Sequence, residues 1–270
     1  MPDFEGRSTP RIIAVANQKG GVGKTTTTIN LAAGLAEFGY SILVVDMDPQ
    51  GNASTGLGVG PEARAKTSYD LLLEQAILND LIQKTAVQGI SLCPANADLA
   101  SADIDLVASE KRSFLLSDAM QEASFLTAGF DFVLIDCPPS LSLLTVNALV
   151  AAESVLIPLQ SEFFALEGLS QLMLTIRDIR KAANPRLRIE GVLITMTDSR
   201  NRLSQQVEAD ARSNLGDMVF ATTIPRNVRV SEAPSFALPV LQYDPTSKGA
   251  DAYRRLSLEV IARRSKGRAA

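Results

Sequence analysis

The sequence predicts a single α/β domain with a doubly wound, mostly parallel sheet and helices on both faces. Three observations carry this prediction. Short apolar runs rich in β-branched residues alternate with segments whose apolar residues recur at helical spacing. The first run leads through a glycine-rich loop into a helical segment, as in a βαβ unit. No internal repeat, low-complexity tract or change of composition marks a linker within the 270 residues.

The first βαβ unit is the best-defined part of the pattern. Arg11–Ala16 is a short apolar run of the kind that a parallel sheet buries on both faces. Thr25–Phe38 carries a helical apolar stripe, and Gly39 is suited to end that helix. Ser41–Asp46 predicts a second buried strand, and the crossover between the two strands is expected to be right-handed.

The rest of the chain continues the alternation. Residues 49–61 contain four glycines and are expected to form a functional loop. Further strands are predicted over residues 90–93, 130–136, 154–159, 188–195 and 218–223. Further helices are predicted over residues 68–82, 111–126, 165–183, 203–215 and 246–264. We therefore expect a flexible N-terminal segment (1–10), one domain (11–264) and a basic C-terminal tail (265–270).

Composition excludes several kinds of chemistry. The sequence contains no histidine, which removes Ser-His-Asp and Cys-His schemes and the commonest metal ligand. Its two cysteines, Cys93 and Cys137, are too few for a disulfide scaffold and lack zinc-site spacing. No apolar run approaches the roughly 18 residues of a membrane span, and the N-terminus lacks the pattern of a signal peptide. These features favour a cytoplasmic protein whose chemistry uses carboxylates, lysines, hydroxyls and a hard cation.

The loop between the first strand and the first helix has the composition of a phosphate-binding loop. Gly20, Gly21 and Gly23 allow positive φ angles and let backbone N–H groups approach an anion closely. Lys24 supplies a positive charge, Thr25 supplies a hydroxyl suited to Mg²⁺, and the following helix adds its positive dipole end. The alternative is a glycine-rich turn without a ligand.

Three aspartates are predicted to share the sheet edge with this loop. Asp46, Asp48 and Asp136 lie at or just after the carboxyl ends of predicted strands. Asp136 ends an apolar strand in the Walker B manner, which would place its carboxylate near Mg²⁺. Apolar strands that end in aspartate are common in α/β proteins, and Asp48-Pro49 is also a frequent way to begin a turn.

The loop departs from the general phosphate-loop pattern, because Gln18 stands where that pattern has glycine. Lys19–Thr25, K-G-G-V-G-K-T, instead resembles the deviant Walker A motif of the ParA/MinD/nitrogenase iron-protein ATPases, with Lys19 as the distinguishing second lysine. Further blocks resemble ParA-type (Soj-like) partition ATPases, and the resemblance covers nearly all of residues 11–262. These blocks are Leu134–Ser140, Phe163–Leu169, Ile224–Phe236 and Gly249–Leu256.

The resemblance implies a slow ATPase that uses Mg²⁺ and works as a nucleotide-sandwiched homodimer. The implied nucleotide-binding residues are Lys19, Gly20, Gly21, Val22, Gly23, Lys24, Thr25, Thr26, Pro225 and Asn227, the last two beside the adenine. The implied magnesium site comprises Thr25, Asp46 and Asp136. Asp48 is implied to position or activate the attacking water, while Lys24, and Lys19 from the opposite subunit, stabilise the transferred phosphate. For residues 225–227, the alternative is a loop that merely begins with proline.

The charge is distributed unevenly along the sequence, and this bears on a second property that the resemblance implies. Residues 1–176 carry 9 basic and 20 acidic side chains, a net charge of −11, whereas residues 177–270 carry 17 and 10, a net charge of +7. The family binds double-stranded DNA without sequence preference, which implies salt-dependent contacts to phosphates and a nucleoid-associated protein. Candidate DNA-binding residues are Arg200, which matches a family position, and the weaker Arg202, Arg229, Lys248, Arg254 and Arg255. Any of these can instead be an ordinary solvated charge.

The resemblance also implies a protein partner, although the sequence departs from the family pattern at two places. A ParB-type centromere-binding protein is implied to stimulate hydrolysis and release the DNA. Two departures are Ala237-Leu238, where relatives often have Gly-Lys, and Thr197, where a tyrosine is common. No helix-turn-helix extension is expected before residue 11, so we do not expect a self-regulating repressor.

Three rival functions share the loop. A MinD-like membrane-cycling ATPase would need an amphipathic C-terminal anchor, whereas residues 258–270 end in R-R-S-K-G-R-A-A, so no membrane partner is expected. An iron–sulfur ATPase would need cysteines that bridge a dimer, and we interpret both cysteines as buried structural residues. A scaffold that binds ATP without hydrolysing it is the third, against which Asp48 argues.

Overall fold

A computed structural model describes residues 9–162 and 165–267 of the chain. Within them, seven strands form one sheet. The strands are β1 (Arg11–Val15), β2 (Ile42–Asp46), β3 (Gln83–Lys84), β4 (Ile90–Cys93), β5 (Phe132–Asp136), β6 (Ser154–Gln160) and β7 (Arg188–Thr195). Their order is β3-β4-β2-β5-β1-β6-β7, and all neighbours are parallel except the short β3, which is antiparallel to β4. The predicted doubly wound α/β fold is confirmed.

Helices cover both faces of this sheet. They are α1 (Lys24–Glu37), α2 (Asn52–Gly56), α3 (Ser68–Leu72), α4 (Leu78–Leu81), α5 (Ala102–Asp105), α6 (Leu115–Gln121), α7 (Ala123–Leu126), α8 (Leu143–Ala151), α9 (Ala165–Ala182), α10 (Arg202–Leu215), α11 (Val228–Glu232), α12 (Val240–Tyr243) and α13 (Lys248–Gly267). In the part of the chain that the structure describes, none of them combines the length and the apolar character that a membrane span requires.

The core has two layers because successive residues of each buried strand point to opposite faces. On β5, Phe132 and Leu134 pack into the layer that contains α1 and α13, while Val133 and Ile135 pack into the layer that contains α6 and α8. The strand needs no polar face, which explains why its sequence reads as a continuous apolar run.

Strand register brings three chain segments to one edge of the sheet. Val15 at the end of β1 and Asp46 at the end of β2 both pair with Asp136 at the end of β5. The loop after β1 begins at this edge and leads into α1, whose end is set by Gly39 at φ 85° as predicted. The first βαβ unit is therefore confirmed, and it places the glycine-rich loop beside the aspartates.

The predicted strand over residues 218–223 is wrong. A 3-10 turn covers Gly216–Met218, and only Val219 forms a bridge, with Val192 of β7. The Phe220 N–H still donates to the Val192 carbonyl of β7 at 2.9 Å. The N–H groups of Ala221 and Thr222 then donate to the Glu259 carboxylate on α13, at 2.8 and 3.1 Å, instead of to a strand. A side-chain acceptor from a distant helix thus replaces the ladder.

Two predicted helices are interrupted. The helix expected over residues 68–82 divides into α3 and α4, because Glu74 adopts a left-handed conformation at φ 56°. The helix expected over residues 111–126 begins only at Leu115 and breaks at Glu122, whose backbone is extended. The predicted loop over residues 49–61 contains α2, and α13 continues past residue 264 to Gly267. Residues 1–8 and 268–270, with most of the predicted N-terminal segment and half of the predicted tail, lie outside the described residues, as do Phe163 and Phe164 of the matched block Phe163–Leu169.

Candidate active site

The glycine-rich loop is shaped by its own backbone and by β7. Gly21 and Gly23 have φ angles of 74° and 88°, which side chains with a Cβ rarely adopt. The Val22 carbonyl accepts a hydrogen bond from Thr195 Oγ at 2.9 Å, so the end of β7 holds the loop from below. Asn17 Oδ1 accepts from the Lys19 N–H at 3.0 Å. These contacts present the loop ahead of the first turn of α1, where a phosphate would meet free N–H groups.

Lys24 is the buried charge of the loop. Its side chain is on α1, is 6% exposed, and donates from Nζ to the Lys19 carbonyl at 3.1 Å. Burial lowers the pKa of Lys24, and the nearby carboxylates of Asp136 and Asp48 only oppose that shift. An anion in the loop would stabilise the ammonium further, which fits a phosphate ligand.

Asp136 lies directly under the loop and is bound by α1. It is fully buried, and its two carboxylate oxygens accept from Thr25 Oγ at 2.7 Å and from Thr28 Oγ at 3.0 Å. Burial raises the pKa of Asp136, and the negative charge of Asp46 raises it further. A carboxylate and a hydroxyl in direct contact are the oxygen donors that Mg²⁺ takes beside a nucleotide. Among the described residues, no group of three Cys, His, Asp or Glu side chains is arranged to hold a metal ion.

Asp46 is bound by the segment after β2. Its Oδ2 accepts from the N–H and the hydroxyl of Ser54 at 2.9 and 2.7 Å, and its Oδ1 accepts from the Asp48 N–H at 3.1 Å. The carboxylate is fully buried, and burial raises the pKa of Asp46. These bonds give Asp46 a structural task, the fixing of α2; its predicted part in the magnesium shell stays a prediction.

Asp48 is almost fully buried, with 7% of its surface exposed. Its Oδ1 accepts from the Gln50 N–H at 3.0 Å and its carbonyl accepts from the Gly51 N–H at 2.8 Å. The turn that Asp48-Pro49 can begin is therefore formed, and its N–H groups bind one carboxylate oxygen and the carbonyl of Asp48. Turn formation and a role toward a bound water are compatible here.

Lys19 is held within its own chain. Its Nζ lies 2.8 Å from Glu162 Oε2, and the side chains of the pair are 38% and 48% exposed. Gln160 donates to the other Glu162 oxygen at 2.6 Å. An exposed ion pair of this kind contributes only about 0–1 kcal/mol, so a phosphate can displace Glu162.

The predicted base-contacting residues lie in a connection that follows β7. Pro225 forms a bridge with Thr197, and Asn227 Oδ1 accepts from the Arg229 N–H at 2.9 Å, which caps α11. Both Pro225 and Asn227 are half-buried. Their contact with a base stays a prediction.

The six candidate DNA-binding residues are only partly free. Arg200 is 89% exposed and pairs with Asp198 at 3.2 Å. Three others have carboxylate partners: Arg229 with Glu232 and Asp244, Arg254 with Glu37, and Arg255 with Asp251. Arg202 and Lys248 are exposed, and neither has an ion-pair partner within the described ranges 9–162 and 165–267. The bidentate bond to Glu37 makes Arg254 the weakest candidate of the six.

Sequence reasoning missed several side chains that build the site. Thr28, one turn after Lys24, binds Asp136, and Ser54 binds Asp46. The spacing of Thr28 on α1 could have indicated its role, whereas no local signal links Ser54 to Asp46.

Cys93 and Cys137 are both buried, and burial raises the pKa of each thiol, which disfavours a cluster-binding role.

Comparisons with known proteins relate the whole chain to ATPases. A family profile described as an AAA domain matches residues 10–189. The chromosome partitioning protein ParA of Caulobacter vibrioides is 54% identical over 253 residues, covering 94% of each chain. The chromosome-partitioning ATPase Soj of Thermus thermophilus is 51% identical, covering 95% of this chain and 98% of its own. A crystal structure of cobyrinic acid a,c-diamide synthase from Mycobacterium smegmatis, with bound ADP and magnesium, is 37% identical with a TM-score of 0.82 over 96% of both chains.

Proposed function

Since the chain belongs to the ParA/Soj family of chromosome-partitioning ATPases, we propose that it hydrolyses ATP with Mg²⁺ to drive DNA segregation. The observation that carries the proposal is that Lys24, Asp136 and Asp48 lie close together beside one glycine-rich loop with the features of a phosphate-binding loop. Identity is higher with the partition relatives than with the diamide synthase, which favours the partition function.

The residues divide the reaction between them. Lys24 and the loop N–H groups bind the phosphates and stabilise charge on the transferred group. Thr25 and Asp136 would hold Mg²⁺, which neutralises phosphate charge, while Asp46 fixes the segment that follows β2. Asp48 orients the attacking water. No covalent intermediate is needed, so positioning and electrostatics carry the catalysis.

In this proposal ATP also builds a homodimer in which Lys19 leaves Glu162 and contacts the nucleotide of the opposite subunit. We expect Lys19→Gln to weaken ATP-dependent dimerisation by about 10-fold or more, because a charge contact across the interface is lost. Analytical ultracentrifugation with Mg-ATP measures this dimerisation. Lys66→Gln is the matched control, because Lys66 is an exposed lysine outside the phosphate-binding loop. Equal dimerisation of Lys19→Gln and the wild type would remove the role of Lys19.

The dimer is proposed to bind duplex DNA through the basic residues around Arg200. We expect Arg200→Glu to weaken binding to random duplex by about 10-fold at low salt without changing ATP affinity. Arg177→Glu is the control, because Arg177 is also exposed, at 60%, and also has an acidic partner, but lies on α9. Unchanged DNA retention by Arg200→Glu would exclude Arg200 from the surface.

Release is proposed to follow hydrolysis, stimulated by a ParB-type partner, in a cytoplasmic, nucleoid-associated cycle. The MinD-like alternative predicts a different surface. Sedimentation with random duplex DNA and, separately, with anionic vesicles under Mg-ATP decides between them: partition function predicts DNA binding alone, and vesicle binding alone would contradict it.

A further inference from the structure

A buried arginine braces the loop that follows Asp48. Arg64 is 8% exposed, and its Nε and Nη2 donate to the Val59 carbonyl at 3.0 and 2.6 Å. Nη2 also donates to Thr55 Oγ at 2.7 Å, and Nη1 donates to the Ala95 carbonyl, just beyond β4, at 3.3 Å. One guanidinium therefore joins two points of the loop to the sheet edge.

This arginine has no carboxylate within ion-pair distance among the described residues. Burial lowers the pKa of Arg64, and the more distant Asp46 and Glu62 oppose the shift. A buried charge that is satisfied only by neutral acceptors is costly compared with an apolar side chain of similar volume. What an apolar residue cannot supply is the planar fork of donors that fixes three acceptors at once.

The contacts of Arg64 extend to the Asp48 turn through Gly51. The Gly51 N–H closes the turn on the Asp48 carbonyl at 2.8 Å, and Gly51 has a φ of 60°. A Cβ on Gly51 would lie 2.3 Å from Arg64 Nη1 and 2.9 Å from the Ala95 carbonyl. The guanidinium thus packs against the residue that ends the Asp48 turn.

A second set of bonds fixes the same loop from the other side. Ser54, on α2, donates to Asp46, and the Ala95 N–H donates to Ser54 Oγ at 3.0 Å. Arg64 and Ser54 therefore both attach the loop to Ala95 and leave little freedom to the segment between them.

From these contacts we propose that Arg64 is a positioning residue for ATP hydrolysis, which holds Asp48 at the distance from the phosphate loop that its water requires. The inference rests on the proposed function, in which Asp48 orients the attacking water. The hydrogen bonds that Arg64 donates go to Val59, Thr55 and Ala95, so its effect on the reaction would pass through the loop. A displacement of about 1 Å at a reacting group can cost about 10²-fold in rate, so a loosened loop is enough to impair turnover.

The test measures steady-state hydrolysis and equilibrium ATP affinity of the full chain carrying Arg64→Lys or Arg64→Met. We expect kcat to fall by about 10- to 100-fold, while KM and ATP affinity stay at the wild-type values. Amide hydrogen exchange over residues 51–59 is expected to accelerate. Arg112→Met is the control, because Arg112 also donates to a loop carbonyl, that of Val107, but is exposed.

Three outcomes would overturn the proposal: wild-type kcat in Arg64→Met, unchanged exchange over residues 51–59, or a parallel loss of ATP affinity and turnover. If Arg64→Met does not fold, Thr55→Val removes one acceptor of Arg64 together with the bond that Thr55 Oγ donates to the Gly51 carbonyl at 3.1 Å. It should lower kcat several-fold at constant KM, and an unchanged kcat then overturns the proposal. Asp48→Ala separates the two levels. Loss of turnover in Asp48→Ala but not in the Arg64 variants refutes only the positioning role of Arg64. Full turnover in Asp48→Ala refutes the proposed role of Asp48.

Discussion

Asp48→Ala is expected to lower ATP turnover by about 10²- to 10⁴-fold, the usual contribution of a positioned acid–base group. Binding of Mg-ATP should persist, because Lys24, Thr25 and Asp136 remain and Asp48 makes no bond to the phosphate loop. The variant should therefore remain in the ATP-bound state and be retained on DNA longer than the wild type. Single-turnover hydrolysis and nucleotide affinity, measured on the same preparation, check this.

The control for Asp48→Ala is Asp210→Ala, an exposed aspartate on α10. It should hydrolyse ATP like the wild type. If Asp48→Ala kept full turnover, the water would be oriented by another group; if it lost ATP binding as well, Asp48 would serve the fold of the loop rather than the reaction.

Lys24→Ala is expected to raise the dissociation constant for ATP by about 10- to 100-fold, since a bond between a charged donor and an anion is worth about 1.5–3 kcal/mol. The burial that lowers the pKa of Lys24 in the free protein makes the loss larger, because a phosphate would find no compensating charge in its place. Titration with a fluorescent ATP analogue measures the affinity.

Thermal unfolding gives a second measurement of the Lys24 effect. ATP should raise the Tm of the wild type but not that of Lys24→Ala at the same concentration. Lys181→Ala, an exposed lysine on α9, is the control and should behave like the wild type. A full ATP-induced shift in Lys24→Ala would contradict the phosphate-binding role.

Much of the fold could be predicted because local patterns and tertiary packing agree. The apolar runs that end in Asp46 and Asp136 need burial on both faces, and a parallel sheet covered by helices is the arrangement that supplies it. The prediction for residues 218–223 is wrong because a distant carboxylate, Glu259, takes two backbone donors that a strand would have used. No local pattern contains that competition.

The site divides in the same way. Glycines, lysine and threonine in one continuous loop indicate their chemistry by spacing alone, so the convergence of Lys24 with Asp136 was predictable. Ser54 binds Asp46, and Arg64 binds Thr55 in the loop that follows Asp48, through contacts that only the folded chain creates. Likewise, the sequence offers Arg254 as a weaker DNA-binding candidate, but only the structure shows that Glu37 binds it.

The central claim, that ATP binding at the loop switches this chain onto DNA, is tested most directly by the affinity for random-sequence duplex measured across salt concentrations under Mg-ATP and Mg-ADP. The account predicts tight binding with ATP only, and a logarithmic affinity that falls linearly with the logarithm of salt, by about 0.9 per phosphate contacted. Equal affinity with ATP and ADP, or binding that does not respond to salt, would contradict it.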